Sequence, residues 1–226
     1  MYCFWDDGNV KSGRRSWART TLAFLVALTA RLGAKEYAVK MSEPAWEVGL
    51  IGGVERRAIE LAEYDTTWPR VFEKHAAIIH NALGSAALSV EHIGSTSVPD
   101  LAAKPIVDIL VALTDSGDES AYLPQLTSAG YILRVREPDW NQHRMFRTPK
   151  KDVHVHVYSQ GCPEIERSLK FRDRLRSNSA DRMLYERVKR KLAALDWTDM
   201  NAYANAKTET IEQILAASYT AGDVAQ

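Results

Sequence analysis

The run Glu91-His92-Ile93-Gly94-Ser95-Thr96-Ser97-Val98-Pro99-Asp100-Leu101-Ala102-Ala103-Lys104-Pro105-Ile106-Val107-Asp108-Ile109-Leu110 restricts what this chain can fold into more than any other stretch. Apolar spacing ending at Ile93, a Gly-Ser turn, a short polar segment and a second apolar run over Ile106–Leu113 predict strand, tight turn and buried strand. Gly94 lets the backbone come close to an anion, and Ser95, Thr96 and Ser97 offer hydroxyl and N–H donors at what reads as a helix start. Together they describe a phosphate cradle. Asp108 interrupts the second apolar run, where an ionised carboxylate is costly unless it meets a cation or donors. Lys104, just before Pro105, lies within reach of the turn and suits a phosphate as a point charge; the alternative is a solvated loop lysine.

The remaining pattern supports an α+β domain. A helix is expected over Trp68–Leu83, with Thr66 or Thr67 as cap and Pro69 in its first turn. Strands are expected at Leu88–Ile93, Ile106–Leu113, Tyr131–Val135, Met145–Thr148 and Val153–Tyr158, a sheet of about five, with a helix over Glu119–Ala129 closed by Gly130. After Pro163 the spacing turns helical over Glu164–Arg176, Ala180–Leu195 and Asp199–Ser218. With 226 residues and 46% apolar side chains the chain can bury one substantial core. Residues 54–222 are read as that domain. Residues 1–53 are read as an N-terminal extension, dispensable or preceding a start at Met41. Its basic residues ahead of Thr20–Ala30 are similar to an export signal, and the apolar run is too short to span a bilayer. Lys and Arg total 29, as do Asp and Glu, so no global charge draws the chain to nucleic acid or membrane. Two distant cysteines, Cys3 and Cys162, indicate no disulfide framework and fit a cytoplasmic location.

Asp152, His154 and His156 alternate and so are expected on one face of a strand, where the imidazoles with Asp108 from a neighbouring strand form a candidate metal set. The competing reading is a buried strand whose imidazoles bond backbone or carboxylates. Arg172, in Phe171-Arg172-Asp173-Arg174-Leu175-Arg176, is a candidate for a phosphate or acidic group, held by Asp173, against the commoner solvated ion-paired face. Lys189 and Lys207 carry the same two readings with less support. Arg134, Arg136, His143, Arg144 and Arg147 around Trp140 form a basic cluster, either open to a polyanion or simply exposed. No nucleophile elbow, CxxC, Walker loop or dinucleotide fingerprint occurs.

The run from His92 to Leu110 resembles the signature of the GrpB family, over roughly Ala62 to Ala217. Further matching segments are Tyr64 to Pro69, His154 to Val157, Phe171 to Arg176, Tyr185 to Leu192 and Tyr203 to Lys207. The resemblance implies a fold similar to DNA polymerase β-type nucleotidyltransferases, with Gly94 and Ser95 at the turn and Asp108 as first carboxylate. Leu110 stands where that superfamily has its second carboxylate. His154 or His156 falls near the strand of the third, which favours zinc or manganese over magnesium. The implied function is binding of a nucleotide or other phosphorylated small molecule. A metal-dependent nucleotidyl or phosphoryl transfer would then use Asp108, Lys104 and Arg172. The rival is a non-catalytic phosphate-ligand module linked to coenzyme A metabolism, and metal-dependent hydrolysis at the histidines is a third reading.

Overall fold

The computed structural model describes residues 49–53, 58–197 and 200–222. Six strands form one sheet: β1 (Gly49–Leu50), β2 (Ser89–Ile93), β3 (Val107–Leu113), β4 (Ile132–Glu137), β5 (His143–Arg147) and β6 (Val153–Ser159), in the order β1-β4-β5-β6-β3-β2. Among the described residues only β3 and β6 run parallel; every other strand pairing there is antiparallel. The strand beyond the expected five is β1, whose Gly49 and Leu50 pair with Arg136 and Val135. Arg134 fastens the same segment by donating to the carbonyls of Ile51 and Gly53. A two-residue strand has no periodicity to read, which is why the pattern passed over it. Thr20–Ala30 and Met41 lie outside the described residues.

Helix α1 (Trp68–Leu83) has the expected bounds with Pro69 in its first turn. Its entry is held by Asp65, which accepts the Thr67 N–H at 2.7 Å, and not by a threonine hydroxyl. The helix expected from Glu119 is broken into a 3-10 turn (Glu119–Ala121) and α2 (Leu123–Ser128), because Pro124 sets a fresh start. Gly130, at φ 93°, closes α2 as expected.

Strand alternation sorts the sheet into two faces. Val107, Ile109, Val111 and Leu113 join Val153, Val155, Val157 and Phe146 against Trp68, Ile79 and Leu83 of α1 and Leu126 of α2. The other face carries Asp108, Leu110, His154 and His156, because the parallel register sets Asp108 beside His154 and Leu110 beside His156. Leu110 is fully buried there with Ile93 and Tyr158, under Ile165 and Leu169 of α3 (Pro163–Ser177). The position at which the superfamily resemblance places a carboxylate is therefore a packed apolar contact.

Helices α4 (Ser179–Ala193), α5 (Met200–Asn205) and α6 (Thr208–Gly222) follow α3. The single helix expected over Asp199–Ser218 is thus two, with Lys207 at the break. Phe171, Leu175, Tyr185, Ile211, Ile214 and Leu215 form a second core that holds Val98 and Leu101 from the loop after the Gly-Ser turn.

In the basic cluster on β4 and β5, Arg134, Arg136, His143 and Arg144 are buried and only Arg147 is partly exposed. Glu119 accepts from Arg136 Nε at 2.7 Å and Arg144 Nε at 2.5 Å, all three being buried. Burial works to raise the Glu119 pKa, but the two guanidiniums outweigh it and hold the carboxyl below its ordinary value.

Candidate functional site

Asp108, His154 and His156 meet where β3 and β6 run side by side. Asp108 Oδ1 lies 3.4 Å from His154 Nδ1 and 3.6 Å from His156 Nε2. All three ligand atoms fall within 4.8 Å of one another. Two bonds of about 2.1 Å at a tetrahedral angle separate ligand atoms by about 3.4 Å, so the two Asp108 distances suit a shared ion. One oxygen and two imidazole nitrogens suit zinc or manganese better than magnesium. Burial works to raise the Asp108 pKa, yet polar contacts from both histidines hold it well below the carboxylate range. Asp152 does not join the set: it precedes β6, and its carboxylate accepts from the Thr148 hydroxyl at 2.6 Å.

Behind His156 runs a buried polar chain that sequence reading missed. His156 Nδ1 and His143 Nε2 are 3.1 Å apart, and His143 Nδ1 is 2.8 Å from Glu137 Oε2. The ring of His143 stacks on those of His156 and Tyr158. Two imidazoles thus stand between two carboxylates, with three junctions. Each junction joins two acceptor atoms unless a proton or another cation lies between them, and two neutral imidazoles supply one N–H each. The junctions at 2.8 and 3.1 Å have hydrogen-bond length, and the third, to Asp108, is 3.6 Å long. A third proton on the chain is opposed by burial, which pushes His156 down to about 4 and lowers His143 despite Glu137 beside it.

Gly94 shapes the floor of the site. Its φ of 69° is the left-handed region that favours glycine, and a Cβ there would sit 2.5 Å from Asp108 Oδ2. The helix start expected after it is a single 3-10 turn, Ser95–Ser97. Within that turn the hydroxyls are directed inward: Thr96 Oγ1 donates to the Ile106 carbonyl at 3.2 Å, and Ser97 Oγ to the Gly94 carbonyl at 2.6 Å. Both residues therefore secure the loop, while Ser95 faces the phenol of Tyr185.

Gly94, Ser95 and Asp108 line one pocket together with Lys104, Tyr185, Lys189, Tyr203 and Lys207. Lys104 and Lys207 place their ammonium groups 5.0 and 4.7 Å from the centre of the Tyr203 ring. Lys189 lies 4.9 Å from that of Tyr185 and donates to the Ala102 carbonyl at 2.5 Å. Lys189 and Lys207 are buried. Burial and the neighbouring ammonium groups push Lys207 down to about 7 and lower Lys189 well below its usual value. The signal for Lys189 was in the sequence, since it follows Tyr185 by one helical turn on an apolar stripe. Tyr203 opens the matching segment Tyr203 to Lys207 but is not itself read as a site residue.

Arg172 is not in this pocket. Its guanidinium donates to Glu91 Oε2 at 2.8 Å, the His92 carbonyl at 3.1 Å and both oxygens of Asp173, which ties α3 to β2.

Comparison with known proteins agrees with this architecture. The chain is 52% identical over 158 residues to a UPF0157 protein of Halalkalibacterium halodurans, covering 70% of this chain and 81% of the relative. The crystal structure of conserved protein GrpB from Enterococcus faecalis matches with a TM-score of 0.62 at 33% identity, covering 71% of this chain and 99% of that one. A more distant likeness, 26% over 180 residues, is to a dephospho-CoA kinase of Mycolicibacterium paratuberculosis, covering 68% of this chain and 44% of the kinase. No described helix is long and apolar enough to cross a membrane. The model of the family described as GrpB protein matches residues 58–217, and with these relatives it shows that the chain belongs to the GrpB family.

Proposed function

We propose that the protein binds a divalent transition metal on Asp108, His154 and His156. In the adjoining pocket of Gly94, Ser95 and Lys104 it takes a nucleotide or another phosphorylated small molecule. The observation that carries this reading is the convergence of Asp108, His154 and His156, whose ligand atoms all lie within 4.8 Å of one another. The metal would supply positive charge to a phosphoryl oxygen. Lys104 adds a second cation from the pocket side. The reaction class supported is phosphoryl or nucleotidyl transfer in the cytoplasm, as the nucleotidyltransferase resemblance of the Gly-Ser turn suggests.

Leu110 favours a second reading. With an apolar side chain packed at the position of the second carboxylate, one metal at most is held by this face, and a non-catalytic ligand-binding module remains compatible with the same pocket. The likeness to a dephospho-CoA kinase is support for a ligand from coenzyme A metabolism under that reading. Titration of metal-stripped protein with Zn2+ and Mn2+ by calorimetry tests the metal. The expected result is close to one equivalent bound tightly by the wild type and lost in His156→Ala. No uptake at neutral pH by the wild type would overturn the metal reading.

A further inference from the structure

Resting on the reading that this pocket takes a phosphorylated ligand, we infer that Tyr203 and Lys207 are its phosphoryl-binding pair: the Tyr203 hydroxyl donates to a phosphoryl oxygen, and the Lys207 ammonium pairs with the same group. The hydroxyls that the Gly-Ser run offers are already engaged within the protein. Thr96 Oγ1 donates to the Ile106 carbonyl, Ser97 Oγ donates to the Gly94 carbonyl, and Ser95 is bonded to the Tyr185 phenol. Lys189 likewise donates to the Ala102 carbonyl. Tyr203 differs from all of these. It lines the pocket and is 1% exposed, and its Oη is a buried polar atom with no hydrogen-bond partner. A buried phenol in that state lacks the bond that normally offsets its desolvation, and an acceptor oxygen entering the pocket would supply it.

Local structure brings Lys207 to the same ring. It follows Tyr203 by four positions, at the break between α5 and α6, and its Nζ stands over the Tyr203 ring, 4.7 Å from the centre. Lys207 is buried and lines the same pocket. Phenol and ammonium can therefore meet on one group. That group has to accept without donating and to carry negative charge, which phosphoryl oxygens do. Asp108 also lines the pocket, where His154 and His156 already engage its carboxylate. The pocket holds about 40 Å³, against roughly 10–15 Å³ for a single water. A phosphoryl end fits such a space, and a sugar or base stays outside it.

The test is calorimetric titration of the full chain with pyrophosphate, in chelator and again with Mn2+ added, beside thermal unfolding without ligand. Tyr203→Phe is expected to weaken pyrophosphate on the order of tenfold or more. The same variant should leave the thermal midpoint of the unliganded protein unchanged or raised, because it deletes a buried hydroxyl that bonds to nothing. Lys207→Met should weaken pyrophosphate to a similar degree. The double variant should lose less than the product of the two single losses, since both groups hold one phosphoryl group. Unchanged pyrophosphate affinity in Tyr203→Phe would overturn the inference and leave the phosphate pocket standing. A lower midpoint of unliganded Tyr203→Phe would overturn it too, by showing that the hydroxyl is bonded within the free fold. Losses that multiply in full would show that the two residues do not act on one group. Should Lys207→Met not fold, the affinity and midpoint of Tyr203→Phe decide alone. Absence of pyrophosphate binding by the wild type, with and without metal, would overturn the phosphorylated-ligand reading and this inference with it.

Discussion

Gly94 and Asp108 occupy each other's space: a methyl group on Gly94 would stand 2.5 Å from Asp108 Oδ2, 3.1 Å from its Cβ and 3.2 Å from its Cγ. The glycine that opens the Gly-Ser turn is therefore also what lets the Asp108 carboxylate stand beside the two histidines. Gly94→Ala is expected to push Asp108 out of line and to strain a backbone held at φ 69°. Metal uptake should be lost and stability should fall by more than about 1 kcal/mol. Calorimetric metal titration and urea unfolding measure the two effects, and retention of tight metal binding by the variant would contradict the coupling.

Under the proposed metal reading, Glu137 bears on the ligand His156 through His143, which contacts both of them. Glu137→Ala is expected to lower metal affinity by about 10–100-fold, because His143 loses the acceptor that fixes its tautomer and hence that of His156. Glu137→Gln should recover part of the loss, since an amide oxygen accepts the same imidazole proton. Equal affinity in all three proteins would show that the chain does not orient His156.

His92 gives a stability dependence on pH with a defined sign. Burial is the main reason its pKa is pushed down to about 4, opposed by Asp108 and assisted by Arg176 and Arg172. The unfolded chain binds the proton near pH 6.5 and the folded one only near 4, so the stabilising contribution is complete above about 6.5. It is lost as pH falls from there to about 4. The ring stacks on Phe72 at 4.9 Å, so His92→Phe preserves the shape. The variant is expected to have a shallower fall in urea midpoint between pH 6.5 and 4 than the wild type. Parallel curves would remove His92 from the account.

Strand β1 ties residues before position 54 to the sheet through pairing with β4 and through Arg134. A chain beginning at Met41 keeps β1 and is expected to fold and bind like the full chain. A chain beginning at Ala58 loses it and leaves the buried Arg134 without two carbonyl acceptors, for which a lower thermal midpoint is expected. Aggregation of the Met41 protein would show instead that the earlier residues contribute to the core.

Much of this protein was determined by its sequence alone. The alternation in β3 and β6, the bounds of α1 and the positions of Asp108, His154 and His156 follow from period and spacing, which are local properties of the chain. The family followed from the run around Gly94. Tertiary structure alone decided which charges meet. Register placed Asp108 beside His154, and packing under α3 made Leu110 a core residue. The same charge run that left Arg172 a candidate instead pairs it with Glu91, 81 positions away in sequence. Lys104, Lys189, Tyr203 and Lys207 come from a loop, one helix, a second helix and the break before a third, so no window of sequence contains the pocket they form. Pairings between distant residues are set by the global fold, since the Coulomb and hydrogen-bond energies that reward them exist only once the helices have closed over the sheet.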